Sequence, residues 1–345
     1  MNEARIATYR DAINEGLRTV MREDPRVILI GEDQAGGAGC DPSMLDAWGG
    51  PFGVTKGLIR EFGSERVIDT PISETAFIGA AVGAAMAGLR PIAELMYVNF
   101  LGACLDMVMN QAAKMHYMSG GRVTVPLTIR TTVGAGLAVA AQHSDSIYSF
   151  FVHIPGLKVV VPSTPFDAKG LLVAAVRDED PVVFVEHKML YNIKGPVPEE
   201  SYAIPLGKAD VKRGGDDLTI VGISQLVHVA LQAADELQKH GISAEVIDPQ
   251  SLAPLDTATI LESVKKTGRL IVVDEDFPRC GMASEIAATV SAEAFDSLDF
   301  PVQRITAPQA HVPFSPVMEQ FYLPDAQRVV ECALRMIGSR SVARR

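Results

Sequence analysis

Short apolar runs alternate with amphipathic helical patterns along most of the chain. In the first half, apolar runs bounded by proline, glycine or charged residues predict strands over residues 26–30, 91–96, 126–130, 157–161 and 182–186. Helical periodicity predicts helices over residues 4–21, 100–118 and 167–177. Strands and helices that alternate in this way are typical of a largely parallel sheet with helices on both faces.

The alternation stops over residues 191–208 and then starts again. The interrupted segment contains Pro196, Pro198 and Pro205 and little periodicity, which is typical of a linker. Beyond it, the pattern predicts strands over 218–223, 244–247, 269–273 and 302–306, and helices over 225–239, 256–266, 282–292 and 326–337. The sequence therefore predicts an α/β fold with two parallel-sheet domains, over residues 1–190 and 207–345, joined by a linker over 191–206.

Composition narrows the class of protein. Of the 345 residues, 48% are hydrophobic, a composition typical of globular rather than disordered proteins. The net charge of −11 argues against a nucleic-acid partner, whose phosphates are themselves negative. The longest uncharged apolar stretch, residues 76–89, is shorter than the roughly 20 residues that span a membrane. No signal peptide is visible, and the cysteines (Cys40, Cys104, Cys280 and Cys332) are too far apart for a zinc or disulfide framework. We expect a cytoplasmic protein.

Several catalytic motifs are absent from the sequence. It contains no G-x-S-x-G nucleophile elbow, no H-E-x-x-H pair and no Walker phosphate loop. Gly134 and Gly136 follow a predicted strand, but Val139 stands where a dinucleotide fingerprint needs its third glycine. We interpret this segment as a tight turn, and a nicotinamide-dependent oxidoreductase stays an alternative.

The segment from Asp69 to Gly88 carries more information. A polar loop over residues 69–74 precedes a helix in which Gly79, Gly83 and Ala87 recur every fourth residue. Because glycine inside a helix costs roughly 1 kcal/mol relative to alanine, this stripe predicts close packing against another helix, for example across a subunit interface. Glu74 starts the helix, and its position alone is explained by a carboxylate that interacts favourably with the positive end of the helix dipole.

From this segment onward, the sequence resembles the β subunits of thiamine-diphosphate-dependent 2-oxo acid dehydrogenases. The matching motifs, in chain order, are DTPISE (69–74), GLRPIAE (88–94), NQAAKMHYMSGG (110–121), AAQHSDS (140–146), HIPGLKVVVPSTPFDAKGLL (153–172), DEDPVVFVEHKMLY (178–191) and EVIDPQSLAPLD (245–256). The resemblance implies a pyrimidine-binding domain followed by a transketolase C-terminal-like domain. The two domains predicted from periodicity agree with it.

The resemblance also implies roles for three residues. Glu74 matches the glutamate that hydrogen-bonds N1′ of the cofactor's aminopyrimidine, where a carboxyl group stabilises the imino tautomer that takes the proton from thiazolium C2. Phe100 matches the aromatic residue that stacks on the pyrimidine, a role that does not exclude one as a core aromatic. His143 matches the histidine near the substrate, although a histidine in a polar turn is also common as a surface or capping residue.

The sequence carries only half of a thiamine diphosphate site. No Gly-Asp-Gly motif, the usual start of the Mg²⁺-diphosphate anchor, occurs anywhere in the chain. The resemblance therefore implies an α subunit that holds Mg²⁺, in a heterotetramer of two α and two β chains, and a lipoyl-bearing acyltransferase core as a further partner. It also implies a potassium site, although its acids could equally form a solvated helix end; the matching residues are Leu127, Ala175, Asp178 and Asp180.

The substrate is less strongly indicated than the family. Residues 96–118, 186–191 and 307–324 are more similar to acetoin dehydrogenase β subunits than to pyruvate ones. We therefore expect an oxidoreductase that cleaves acetoin or decarboxylates a 2-oxo acid and transfers the acyl unit to lipoamide. Pyruvate and branched-chain 2-oxo acids stay alternatives. A noncatalytic scaffold subunit of the same fold is a more distant alternative, because a scaffold needs neither Glu74 nor Phe100 nor His143.

Overall fold

The structure is a computed structural model that describes residues 5–37, 45, 46 and 48–338. Cys40 and the remaining residues of the chain lie outside this description. Internal contacts divide the chain into two units. The first comprises the chain up to Val133 together with Phe150–Leu206, and the second comprises Gly134–Ser149 and the chain from Gly207 onward.

Six parallel strands form the centre of the first unit, in the order β6-β7-β5-β4-β2-β3. Their bounds are β2 Val27–Glu32, β3 Val67–Thr70, β4 Arg90–Tyr97, β5 Thr128–Val133, β6 Lys158–Val160 and β7 Val182–His187. Strands β5 and β7 are buried along their whole length, as expected for parallel strands covered on both faces. This arrangement confirms the predicted α/β class.

Helices cover this sheet. Their bounds are α1 Tyr9–Glu23, α2 Leu58–Phe62, α3 Glu74–Met86, α4 Leu101–Asp106, α5 Met115–Met118, α6 Ser149–Val152 and α7 Pro165–Arg177. Helices α1 and α7 share one hydrophobic core with the sheet, and a capping box formed by Thr164 and Asp167 begins α7. The single helix predicted over residues 100–118 is instead α4, a π-helical stretch Met107–Ala112 and α5.

Two further segments differ from their predictions. The expected polar loop over residues 69–74 begins inside β3, because Asp69 and Thr70 continue the pairing with β2. The predicted linker packs on the first unit, where β1 (Ile6–Thr8) pairs with β8 (Lys194–Pro196). The predicted domain boundaries themselves stay a prediction, since the contacts group residues 134–149 with the second unit.

The second unit has its own sheet and core. Strand order is β14-β13-β10-β11-β9, parallel except for the antiparallel edge strand β9. The strands are β9 Asp210–Arg213, β10 Leu218–Gly222, β11 Ala244–Asp248, β12 Ser251–Ala253, β13 Leu270–Asp274 and β14 Gln303–Thr306. The helices are α8 Leu226–Lys239, α9 Thr257–Thr267, α10 Met282–Glu293, α11 Pro316–Tyr322 and α12 Ala326–Gly338. Helices α8 and α12 pack on one face of the sheet, and α11 is an element that periodicity did not predict.

Among the described residues, no helix is both long enough and apolar enough to cross a membrane.

Candidate active site

Glu74 is the first residue of helix α3, close behind the carboxyl end of strand β3. Its side chain is partly exposed, and the side chain of its helix cap Ser73 hydrogen-bonds the Pro71 carbonyl rather than the helix. The hydroxyl of Thr70, at the end of β3, is buried without a hydrogen-bond partner among the described residues. The beginning of α3 therefore presents a carboxylate beside a polar group that has capacity for a ligand.

Phe100 lies close to the same helix start. Next to Glu74, the Thr75 hydroxyl donates to the carbonyl of Ala103 in helix α4, the helix that Phe100 begins. Burial and then the charge of Glu74 raise the pKa of Cys104 to about 12, and the Cys104 thiol faces the Phe100 carbonyl. The structure thus brings Glu74 and Phe100 into one neighbourhood of the first unit.

Aromatic side chains fix the surroundings of Phe100. The Phe100 ring meets Tyr97 edge-on at a centroid distance of 5.5 Å, and Tyr97 also packs edge-on against Phe52. The ammonium group of Lys188 lies 5.2 Å from the centre of the Tyr97 ring. These contacts fix a half-buried aromatic ring in the neighbourhood of the α3 start, where Glu74 lies. A stacking surface and a carboxyl group suit a protonatable aromatic heterocycle such as an aminopyrimidine.

A buried ion triad lies across strands β4, β5 and β7. The Arg130 guanidinium donates to Glu94 at 2.5 Å and to both oxygens of Glu186 at 2.7 and 3.0 Å. All three side chains are at most 5% exposed, and the Tyr191 hydroxyl donates to Glu186 as well. Burial raises the pKa of Glu94, while the two glutamates keep the pKa of Arg130 raised.

Acidic groups concentrate near Glu74. Burial, and after it the charges of Asp33, Glu74 and Glu94, raise the pKa of Glu32 at the end of β2. The carboxylate of Asp69 accepts hydrogen bonds from the backbone N–H groups of Ala35 and Gly37, both at 2.7 Å. The charge of Glu74 thus acts on the carboxyl group of Glu32, which places the two side chains in one neighbourhood.

His143 belongs to the second unit. It ends a short 3-10 turn, Ala141–His143, in the loop that follows strand β5, and its side chain is partly exposed. Its neighbour Ser144 is buried, and the Ser144 hydroxyl has no hydrogen-bond partner among the described residues. The histidine is therefore presented on a loop beside a polar group that can bind a ligand.

Three of the four predicted potassium ligands, Ala175, Asp178 and Asp180, lie at the end of helix α7. Lys158 places its ammonium group 2.8 Å from both oxygens of Asp178 and 3.0 Å from Asp180. The Leu127 carbonyl accepts from the Val182 N–H. The described residues contain no cluster of three metal-binding side chains. The carboxylates of Asp178 and Asp180 already pair with the Lys158 ammonium group, so a potassium ion would have to displace it. The potassium site stays a prediction.

The glycine stripe of helix α3 is only partly covered within the chain. A side-chain atom at Gly79 would lie 3.0 Å from the Met107 sulfur, so this glycine permits a close approach. Gly83 faces open space, and Ala76, Ala80 and Ala87 on the same helix are exposed. The exposed part of the stripe is available to a partner, and the predicted subunit contact there stays a prediction.

Sequence reasoning missed the buried charges. Glu94, Arg130 and Glu186 each lie within an apolar strand that was itself predicted. Glu94 stands directly opposite Arg130 in the pairing of β4 with β5, and a charged residue inside each of several buried strands is the signal that could have grouped them. The second unit adds the buried acids Asp274, Glu275, Asp276 and Glu319, which sequence reasoning also missed.

Comparison with known proteins identifies the family. Residues 6–194 match the transketolase pyrimidine-binding domain and residues 207–329 match the transketolase C-terminal domain. A split-gene transketolase described as an inactive beta4 tetramer superposes with a TM-score of 0.75 at 22% identity, covering 96% of this chain and 98% of that one, which supports the fold. The chain thus has the domain pair of thiamine-diphosphate-dependent enzymes.

Relatives define the family more closely. The β subunit of acetoin:2,6-dichlorophenolindophenol oxidoreductase from Bacillus subtilis is 56% identical over 97% of this chain and 98% of its own length. The subunit of the same name from Cupriavidus necator is 52% identical over 96% and 97%. The pyruvate dehydrogenase E1 component β subunit of Bacillus subtilis is 45% identical over 96% and 98%. This chain belongs to the family of β subunits of acetoin and 2-oxo acid dehydrogenases, as its motifs predicted.

Proposed function

We propose that this chain is the β subunit of an acetoin-cleaving, thiamine-diphosphate-dependent dehydrogenase that transfers the acetyl unit to lipoamide. One observation carries the choice of substrate. Relatives named for acetoin are 56% and 52% identical, whereas the relative named for pyruvate is 45% identical, all over nearly the full length. A pyruvate or branched-chain 2-oxo acid substrate is the alternative.

Glu74 is the residue that would bind the aminopyrimidine at N1′. Its place at the start of α3, near Glu32 and the Thr70 hydroxyl, which has no hydrogen-bond partner among the residues described, supports this assignment. A carboxyl group there can hold and return a proton at the pyrimidine nitrogen. When bound, thiamine diphosphate supplies the electron sink for carbon–carbon bond cleavage. The half-buried ring of Phe100 offers a stacking surface that orients the pyrimidine.

His143 is the residue that would contact the substrate. Its imidazole can donate a hydrogen bond to a substrate oxygen or hold a proton during acyl transfer to the lipoyl group. Its place on a loop supports a role in ligand binding, because the adjacent Ser144 hydroxyl is buried and has no partner in the part of the chain that the structure describes.

The rest of the site would come from other chains. An α subunit would hold Mg²⁺ and the diphosphate, in a heterotetramer of two α and two β chains, because no Gly-Asp-Gly motif occurs in this sequence. A lipoyl-bearing acyltransferase core would receive the acetyl unit. A cytoplasmic location stays a prediction, based on the scattered cysteines.

Calorimetric titration tests the shared site. Thiamine diphosphate with Mg²⁺ is titrated into this chain alone and into this chain co-purified with an α-type subunit. We expect binding only to the mixture, and acetoin turnover that exceeds pyruvate turnover. Tight binding to this chain alone would contradict the shared site. Faster turnover of pyruvate would transfer the assignment to the alternative substrate.

The first prediction concerns the proposed acid. Glu74→Gln removes the exchangeable carboxyl proton but keeps the side-chain shape, so turnover in the assembled enzyme should fall about 100-fold or more. The exposed Glu65→Gln is the matched control. Thermal melting should be similar for both variants. Full turnover in Glu74→Gln would refute the proposed role and favour a noncatalytic scaffold.

A further inference from the structure

The loop that carries His143 has an unusual backbone. Every second residue from position 134 to 140 has a positive φ angle: Gly134 (102°), Gly136 (113°), Ala138 (53°) and Ala140 (62°). Glycine adopts such angles readily, but alanine does not. Ala140, with a ψ angle of −175°, occupies a region that is almost restricted to glycine.

Such strain needs restraint from outside the loop. Residues held in these regions cost on the order of 1–3 kcal/mol each and persist only where the surroundings determine the conformation. Two backbone hydrogen bonds within the loop are long: Gly134 N–H to the Asp145 carbonyl and His143 N–H to the Ala140 carbonyl, both at 3.3 Å. These two bonds are weak supports for a strained backbone.

Two buried carboxylates of the second unit supply this restraint. Glu319 in helix α11 accepts the Gly136 N–H at 2.7 Å with one oxygen and the Ala138 N–H at 2.9 Å with the other. Glu275, next to the end of strand β13, accepts the Ala135 N–H at 2.7 Å and the Ser146 hydroxyl at 3.2 Å. Both glutamates are at most 4% exposed.

The contact is well packed as well as hydrogen-bonded. Ala135 is fully buried in a small core with Ala307, Val312 and Tyr322. Tyr322 lies three residues after Glu319 on the same helix, so one face of α11 supplies both the packing and the carboxylate. Charge-assisted hydrogen bonds of this length are about twice as strong as neutral ones, and burial protects them from water.

The first unit contains a similar contact. Asp69 binds the N–H groups of Ala35 and Gly37, two residues apart, with its two oxygens. Glu319 binds the N–H groups of Gly136 and Ala138 with the same spacing. In both cases one carboxylate orders a glycine-containing loop that follows a parallel strand.

We propose that Glu319, supported by Glu275, is a positioning residue for His143. By holding the N–H groups of residues 135, 136 and 138, the two carboxylates keep the loop in the strained conformation that presents the imidazole. The inference deepens the proposed function and rests on it for the role of His143. The hold on the loop itself depends only on the contacts described above.

The test begins with loop order, which does not depend on chemistry. Glu319→Gln keeps the size of the side chain, but its amide offers one acceptor and turns an N–H₂ group toward the second backbone N–H. Hydrogen exchange of peptides covering residues 134–143 is measured by mass spectrometry in the assembled enzyme. We expect exchange there to become about tenfold faster or more, with no change for the exposed Glu262→Gln control. Unchanged exchange would overturn the proposal.

A double-mutant cycle then tests the link to His143. Alone, Glu319→Gln should lower kcat for acetoin about tenfold or more and change KM little. In a His143→Ala background it should lower kcat by less than about twofold, because the group it positions is absent. Equal losses in both backgrounds would indicate a general structural role and overturn the proposal.

The outcomes separate this proposal from the proposed function. If His143→Ala leaves kcat unchanged, the catalytic assignment of His143 fails, and the proposal that Glu319 positions a catalytic group fails with it. Faster exchange in Glu319→Gln would still establish that Glu319 holds the loop. Glu319→Asp serves as a second variant should Glu319→Gln fold poorly. It keeps the charge but shortens the reach, so we expect exchange of residues 134–143 to become faster than in the wild type by less than about tenfold. Exchange as slow as that of the wild type would overturn the proposal.

Discussion

One cluster of buried acids in each unit shows a different way to stabilise buried carboxylates. In the first unit, Glu94 and Glu186 share the guanidinium of Arg130, so two negative charges surround one positive charge. In the second unit, Asp274 accepts from the Tyr148 hydroxyl and from the N–H groups of Asp276 and Ala283. Its donors are neutral groups, as are the backbone N–H groups that Glu275 and Glu319 bind.

The difference predicts different responses to mutation and pH. A buried ion pair is tolerant of pH near neutrality but very sensitive to the loss of its cation. Carboxylates held by neutral donors repel one another, so a proton returns to them more readily. Accordingly, burial and then the charge of Asp274 raise the pKa of Asp276 to about 7. The stability of the Arg130 cluster is therefore expected to depend on one side chain, and that of the Asp274–Asp276 cluster on pH.

The largest effect should come from removing the shared cation. Arg130→Met leaves Glu94 and Glu186 buried without their counter-charge, which should lower the free energy of unfolding by about 3–5 kcal/mol. Denaturant unfolding of the assembled enzyme measures it. The exposed Arg122→Met is the control.

A rescue variant sharpens this prediction. Adding Glu94→Gln and Glu186→Gln to Arg130→Met removes the uncompensated charges, so part of the stability should return. If Arg130→Met is no more destabilising than Arg122→Met, the ion triad does not stabilise the first unit as described.

A smaller effect should appear in the pH dependence of the second unit. The folded state holds the Asp276 proton up to about pH 7, whereas an unfolded aspartate releases it near pH 3.8. The stability that this proton contributes is fully present below about pH 3.8 and is lost as the pH rises through 7. The melting temperature should therefore fall as the pH rises toward neutrality, by about 2–4 °C for each kcal/mol lost.

Asp276→Asn isolates this contribution. The amide cannot ionise, so its melting temperature should change less than that of the wild type between about pH 5 and pH 7.5. Parallel curves for the two proteins would show that Asp276 ionises normally in the folded state.

The smallest effect is expected at the end of helix α7, where a lysine stands beside two acids at the surface. Because Lys158 already pairs with Asp178 and Asp180, replacing NaCl by KCl should change the stability of the wild type by less than about 1 kcal/mol. Lys158→Met frees both carboxylates and should make any potassium-specific stabilisation larger. A large potassium effect in the wild type would show that the predicted site binds the ion despite the lysine.

The sequence predicted the framework of each sheet well. Apolar runs such as residues 26–30 and 182–186 correspond closely to β2 and β7, because parallel strands buried on both faces must be apolar. Short elements were missed. Strand β1 and helix α11 are too short to show a period, and Pro316 at the beginning of α11 gave no signal strong enough to predict a helix.

The candidate site was predictable only in part. Glu74 and Phe100 were identified by resemblance, and the fold brings them into one neighbourhood, but their roles stay predictions. The ion triad could not be assembled from spacing alone, because Arg130 is 36 residues from Glu94 and 56 from Glu186 in sequence. Glu319 was invisible to sequence reasoning for another reason: its partners are backbone N–H groups, which every sequence contains.

The contacts of residues 134–149 also restrict how the gene can be divided. A fragment that stops near residue 206 would include the His143 loop but not Glu275 or Glu319, so its strained backbone would lack both acceptors. The complementary fragment would retain the two acids without the N–H groups they bind. Fission at the apparent domain boundary would therefore separate this loop from α11. A chimera that takes its C-terminal half from a relative must take residues 134–149 from the same relative.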